Sequence, residues 1–168
     1  MFQGYSERAR QAIFLARLMA GQRGSSILDM PDLVAALVAE DQGEFLKRIS
    51  VIRPELSSST AIKRHKPFLT SGTATKLRTE IEGSMVHSDP IPSDTDIPAS
   101  DSVKRTFKEA TTLAEGEEWR EVQPLHLLAA ALRDETGGVA SILRRAGVTE
   151  GAILKALRKR RPKKPDSD

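Results

Sequence analysis

Apolar residues recur at helical spacing along most of this chain. Ala9, Ile13, Ala16 and Ala20 fall three and four residues apart and share one face of a predicted helix. Ser6 precedes that run as its N-cap, and Gly21 with Gly24 closes it. Asp29 and Pro31 open a second predicted helix, which carries Leu33, Val34, Leu37 and Val38. Proline is tolerated in a first turn because the amide it lacks would have no intrahelical acceptor there. Gly43 separates a third helix with Phe45, Leu46 and Ile49, and a fourth is predicted from Pro54 to Ile62.

The second half of the chain repeats this pattern. Ser100 caps a stretch reaching Ala114, and Pro124 opens the apolar block "PLHLLAAAL". Gly137 and Gly138 precede a helix with Ile142 and Leu143, and Thr149 caps a last one with Ile153, Leu154 and Leu157 facing inward. Shifting the chain by 94 residues aligns the halves without a gap over residues 6–49. Identities include Ser6/Ser100, Ala16/Ala110, Leu33/Leu127, Ala36/Ala130 and Gly43/Gly137; Leu28/Val122 and Val38/Leu132 are among the similar pairs. These are the apolar, small and capping positions that packing dictates, so the chain reads as a tandem duplication. Nothing in either copy alternates like a strand.

The predicted fold is therefore all-α: two four-helix repeats related by a pseudo-twofold axis, with residues 2–65 superposing on 96–159. One domain is expected over 1–161, with repeat one at 2–65, repeat two at 100–160 and a tail at 162–168. Residues 66–99 are rich in Ser, Thr, Pro and Asp, with Pro90, Pro92 and Pro98 close together, and read as a long linker, extended in its second half. Within it, "ATKLRTEIE" at 74–82 fits either one or two extra helical turns or an unstructured connector.

Composition narrows the chemistry. Of 168 residues, 39% are apolar and only 4% aromatic, which suits helices packed through Leu, Ile, Val and Ala. Cysteine is absent, which rules out disulfides, thiolate metal sites and a cysteine nucleophile. No run of about 18 apolar residues is present to span a membrane as a helix, and the charged start lacks a signal-peptide core; a cytoplasmic protein is expected. The net charge of +3 is local: seven of the 26 Lys and Arg lie in 155–168, and the rest of the chain holds 19 basic against 21 acidic side chains. That basic end reads first as a solvated tail and second as a contact for a partner or for nucleic acid.

No catalytic constellation is visible. A phosphate-cradling loop needs G-x-x-x-x-G-K-[ST], and Gly21 and Gly24 are too close together and lack the following Lys. There is no G-x-S-x-G elbow. His65, His87 and His126 do not pair at metal-ligand spacing, so neither a metal nor another cofactor is expected. Glu115, Glu117, Glu118 and Glu121 surround Trp119, which reads as a solvated loop or, if the ring is exposed, as an anchor for a basic partner peptide. The chain is expected not to be an enzyme.

The segments "YSERARQAIFLA", "LVAALV", "LHLLAAAL" and "ILRRAGV" resemble the repeats of the Clp N-terminal domain, over residues 2–65 and 99–160. That family caps Clp-type AAA+ unfoldases and is built from two four-helix repeats. The resemblance implies a non-enzymatic module, here without ATPase modules of its own, that binds protein substrates, adaptors or a Clp-type unfoldase. Carried over by position, the protein-binding residues would be Ser6, Pro31, Asp32, Ser100, Leu125 and His126.

Two of those positions depart from the family. Its members carry Glu-His-Leu-Leu at the start of the second helix of each repeat, and in some the Glu helps to recognise phosphorylated arginine. Here the first two places are Pro31 and Asp32 in one copy, and Leu125 and His126 in the other. Neither Pro31 nor Leu125 can accept a hydrogen bond from a guanidinium group. The expected function is thus a monomeric protein-interaction module that takes apolar or amphipathic segments. The alternative is a nucleic-acid-associated protein acting through the basic C-terminal tail.

Overall fold

A computed structural model describes residues 2–56 and 65–162. Over these it holds eight α-helices and one 3-10 turn, and two isolated bridges are the only β-type pairing. The first four helices are α1 (Glu7–Gln22), α2 (Met30–Asp41), α3 (Phe45–Ile52) and α4 (Ser71–Gly83). The second four are α5 (Asp101–Gly116), α6 (Pro124–Leu132), α7 (Val139–Arg145) and α8 (Glu150–Arg160).

The helix starts follow from local chemistry. The Ser6 hydroxyl accepts the Ala9 amide at 3.1 Å, and the Ser100 hydroxyl accepts that of Val103 at 3.2 Å. Thr70 and Thr149 do the same for α4 and α8. Each satisfies one of the amides that a helix leaves without a partner in its first turn. The α2 and α6 helices are apolar around most of their circumference, and both are buried along nearly their whole length. They pack against each other at the centre, and Ala36, Ala39, Ala129 and Ala131 on them are buried.

The two halves meet in a reciprocal pattern. Ser6 donates its amide to the Val122 carbonyl at 2.9 Å, and Ser100 donates to Leu28 at 2.8 Å. Val122 donates to Gly4 at 2.7 Å, and Leu28 donates to Pro98 at 2.8 Å. Adding 94 to 6, 28 and 4 yields 100, 122 and 98, so each bond has a counterpart with the copies exchanged. Such self-complementary exchange is the signature of a twofold relation.

The fourth helix of the first half lies elsewhere than the copy register predicts. Over Pro54–Leu56 the chain forms a 3-10 turn, and the remainder of the predicted helix, 57–62, falls outside the described residues. The helix that packs on α2 as α8 packs on α6 is α4, inside the segment read as a linker. Ala74, Leu77 and Ile81 form its buried stripe. Eighteen residues separate α3 from α4, against four between α7 and α8, and this inserted length breaks the 94-residue register. Asp41 ties the insertion down: its carboxylate accepts the amides of Phe68 at 2.8 Å and Leu69 at 2.9 Å.

Residues 84–99 form a strap along the end of α1. Ser88 donates to the Arg23 carbonyl and Ile91 to that of Gly21, both at 2.8 Å, while Ile97 is buried. Gly24 has φ +84°, and a Cβ there would stand 2.6 Å from the Asp89 carbonyl oxygen, so this place takes only glycine.

Candidate functional site

A cleft of about 240 Å³ opens where α2, α6 and α8 converge. Leu37 and Val38 line it from α2, Leu125 and Leu128 from α6, and Leu157 from α8. Leu69, delivered by the inserted segment, and the ring of Trp119 close two further sides.

The polar groups around the cleft are mostly engaged within the molecule. Arg8 grips the buried Glu40 through Nε and Nη2. Asp41 holds the two amides named above and the side-chain amide of Gln42. Arg160 donates from Nη2 to the Lys66 carbonyl at 2.9 Å and pairs with no carboxylate among the described residues. The cleft can thus take up apolar side chains, and no nucleophile–base pair lines it.

The seven residues expected from the sequence fall into different settings. Ser6 caps α1 beside the start of α6, while Ser100 caps α5 beside the start of α2, where its hydroxyl donates to Asp29 Oδ1 at 3.0 Å. The geometry therefore groups Ser6 with Leu125 and His126, and Ser100 with Pro31 and Asp32. Asp32 is fully buried: Arg23 binds both carboxylate oxygens, at 2.7 and 2.8 Å, and the Asp29 amide donates to Oδ2 at 3.0 Å. This pairing raises the Arg23 pKa and leaves Asp32 closed to a ligand. Pro31 is half-buried in the first turn of α2. Of the seven, Leu125 and Trp119 line the cleft.

His126 has no exposed surface. Its Nδ1 accepts the Gln123 amide at 2.9 Å, which places the proton of the neutral ring on Nε2, and that atom is buried without a partner among the described residues. Burial lowers its pKa to about 4, an effect that the attraction of Glu117 only partly offsets. Trp119 stands edge-on to this imidazole, ring centroids 5.3 Å apart.

The sequence allows Trp119 a place in a solvated loop or, if the ring is exposed, the role of an anchor among acids. The ring is half-buried against the core, and two of the four acids, Glu117 and Glu118, pair with Arg158 and Arg161 at the end of α8. Arg158 donates to Glu117 Oε1 at 3.1 Å; Arg161 reaches Glu118 at 4.0 Å and donates to the Glu117 carbonyl at 3.1 Å. The basic end read as a tail is thus, through Arg160, the last turns of α8, while 163–168 lie outside the described residues. Sequence reasoning missed Leu37, Val38, Leu69, Leu128 and Arg160 as cleft residues. The all-round apolar character of α2 and α6 was the available signal.

Among the described residues no three His, Cys, Asp or Glu side chains are grouped to hold a metal ion, and no helix is long and apolar enough to cross a membrane.

Known structures share this architecture. A chain from structural investigations of a malarial protein secretion system matches with a TM-score of 0.69 at 20% identity, over 94% of this chain and 95% of that one. The N-terminal domain of the caseinolytic protease associated chaperone ClpD from Arabidopsis thaliana matches with a TM-score of 0.62 at 20% identity, over 94% and 97%. The Hsp104 N-terminal domain from Candida albicans follows at 0.61 and 19% identity, over 94% and 92%. No curated protein matches in sequence. The profile of the Clp repeat N-terminal domain covers residues 70–168, more than half of the sequence, and the chain belongs to that family.

Proposed function

We propose that this protein is an interaction module that seats apolar or amphipathic segments of protein substrates or adaptors in the cleft between α2, α6 and α8. The observation that carries this reading is the cleft: six aliphatic side chains and a tryptophan around about 240 Å³ of open space. A dry cavity of about 150 Å³ already holds a benzene ring. Burying one Leu or Phe side chain contributes about 1.5–3 kcal/mol, and two anchors give about 3–6 kcal/mol before the costs of association. The affinity expected for a single segment is therefore weak, near the millimolar end of the scale. Weak gripping suits the capture and release of segments by a Clp-type unfoldase system, with this chain as a monomeric cytoplasmic component.

Trp119 is the only tryptophan of the chain and lines the cleft, so its emission reports occupancy. Titration with an amphipathic peptide carrying two Leu anchors should shift that emission saturably, and the same peptide with Ser at both anchors should not. Free phosphoarginine should not bind saturably at Ser6, Pro31, Ser100 or Leu125, since Pro31 and Leu125 offer no acceptor and Asp32 is closed. Equal response to the Leu and Ser peptides, or saturable binding of free phosphoarginine at those four residues, would overturn the reading.

A further inference from the structure

Charge around the cleft is unevenly balanced. On the side of Trp119, Arg158 and Arg161 are matched by Glu117 and Glu118. Arg8 is matched by Glu40, and Asp41 is buried with its oxygens turned onto amide groups. At the α8 end of the cleft the balance fails. Arg160 lines the cleft and donates to the carbonyl of the exposed Lys66, and among the described residues neither side chain has an ion pair. The negative end of the α8 dipole offsets about half an elementary charge there. The Arg160 cation exceeds it; the Lys66 backbone adjoins Arg160, and no carboxylate among the described residues pairs with either side chain.

We propose that the segment this cleft takes is an apolar one flanked on one side by carboxylates, oriented so that its acidic end lies against Arg160 and Lys66. This rests on the interaction reading above and adds its polarity: the Leu-lined floor takes the anchors, and the uncompensated rim selects the sign of the flank. A segment with a basic flank would bring like charges together at the same place, and that repulsion supplies discrimination.

The test uses the full chain and three peptides with the same two-Leu core, flanked on one side by Glu, Gln or Lys, followed by Trp119 emission. At low salt the Glu-flanked peptide should bind about fivefold tighter than the Gln-flanked one, as expected for two exposed ion pairs, and the Lys-flanked peptide weakest. The ratio should shrink towards one at high salt, where exposed charges are screened. Arg160→Gln and, separately, Lys66→Gln should each reduce the ratio, and thermal melts check that both variants fold. Equal affinities for the three flanks at low salt, or a ratio that neither substitution changes, would overturn this inference while leaving the apolar cleft intact. Failure of all three peptides to bind would overturn the interaction reading itself.

Discussion

His126 is a neutral imidazole held where charge is unwelcome. In the 94-residue register it occupies the place of Asp32, and Glu117 occupies that of Arg23, so the ion pair of the first copy becomes an acid facing a histidine in the second. Burial wins over the Glu117 attraction, and the pKa of about 4 lies below the ordinary value of 6.5. The unfolded chain therefore takes up the proton first as the pH falls. Stability should be lost progressively from about pH 6.5 down through pH 4, by up to about 3 kcal/mol. His126→Gln keeps a side chain able to accept the Gln123 amide and should flatten this part of the pH dependence, measured by urea denaturation between pH 7.5 and 4.5. An unchanged slope would mean that other groups carry it. At this scale the caps Ser6, Ser100 and Thr149 were legible, because a capping side chain and its amide lie three residues apart. The closure of Asp32 by Arg23 was not, since a pairing across a loop leaves no period in the sequence.

The helix α4 shows how an element can hide within a composition. Its outer face carries Thr75 and Thr79, whose hydroxyls donate to the carbonyls of Ser71 and Thr75 within the helix. Those residues make the segment look like a linker, while Ala74, Leu77 and Ile81 recur at helical spacing beneath them. Extending the register of the duplication past α3 places a helix at 54–62, most of which lies outside the described residues, and says nothing of α4. Leu77 is fully buried, so Leu77→Ala should cost about 2–5 kcal/mol in chemical denaturation. A cost under about 0.5 kcal/mol, typical of surface substitutions, would show α4 to be a loose attachment. The other helices were readable for a simpler reason: each carries an apolar stripe with a capping residue or a Gly or Pro boundary close by in sequence.

Across the whole molecule, the duplication was legible because the residues meeting at the centre are the ones under packing constraint in both halves. The cleft was less so, since it is assembled from α2, α6, α8 and the segment leading into α4, and no short window of sequence contains it. The reciprocal backbone bonds of Ser6 with Val122 and Ser100 with Leu28 carry a further consequence. Under a twofold, the path from the end of the first half to the start of the second equals the path from the end of the second to the start of the first. The sixteen residues 84–99 cover one of these paths, so the same length should cover the other. Joining Pro162 to Phe2 through a copy of that strap, and opening the chain between Asp89 and Pro90, should give a circular permutant that folds. Helix content by circular dichroism and Trp119 emission should match the parent, with melting temperatures a few degrees apart. A permutant that stays unfolded would mean that the order in which the halves are threaded matters as much as the contacts between them.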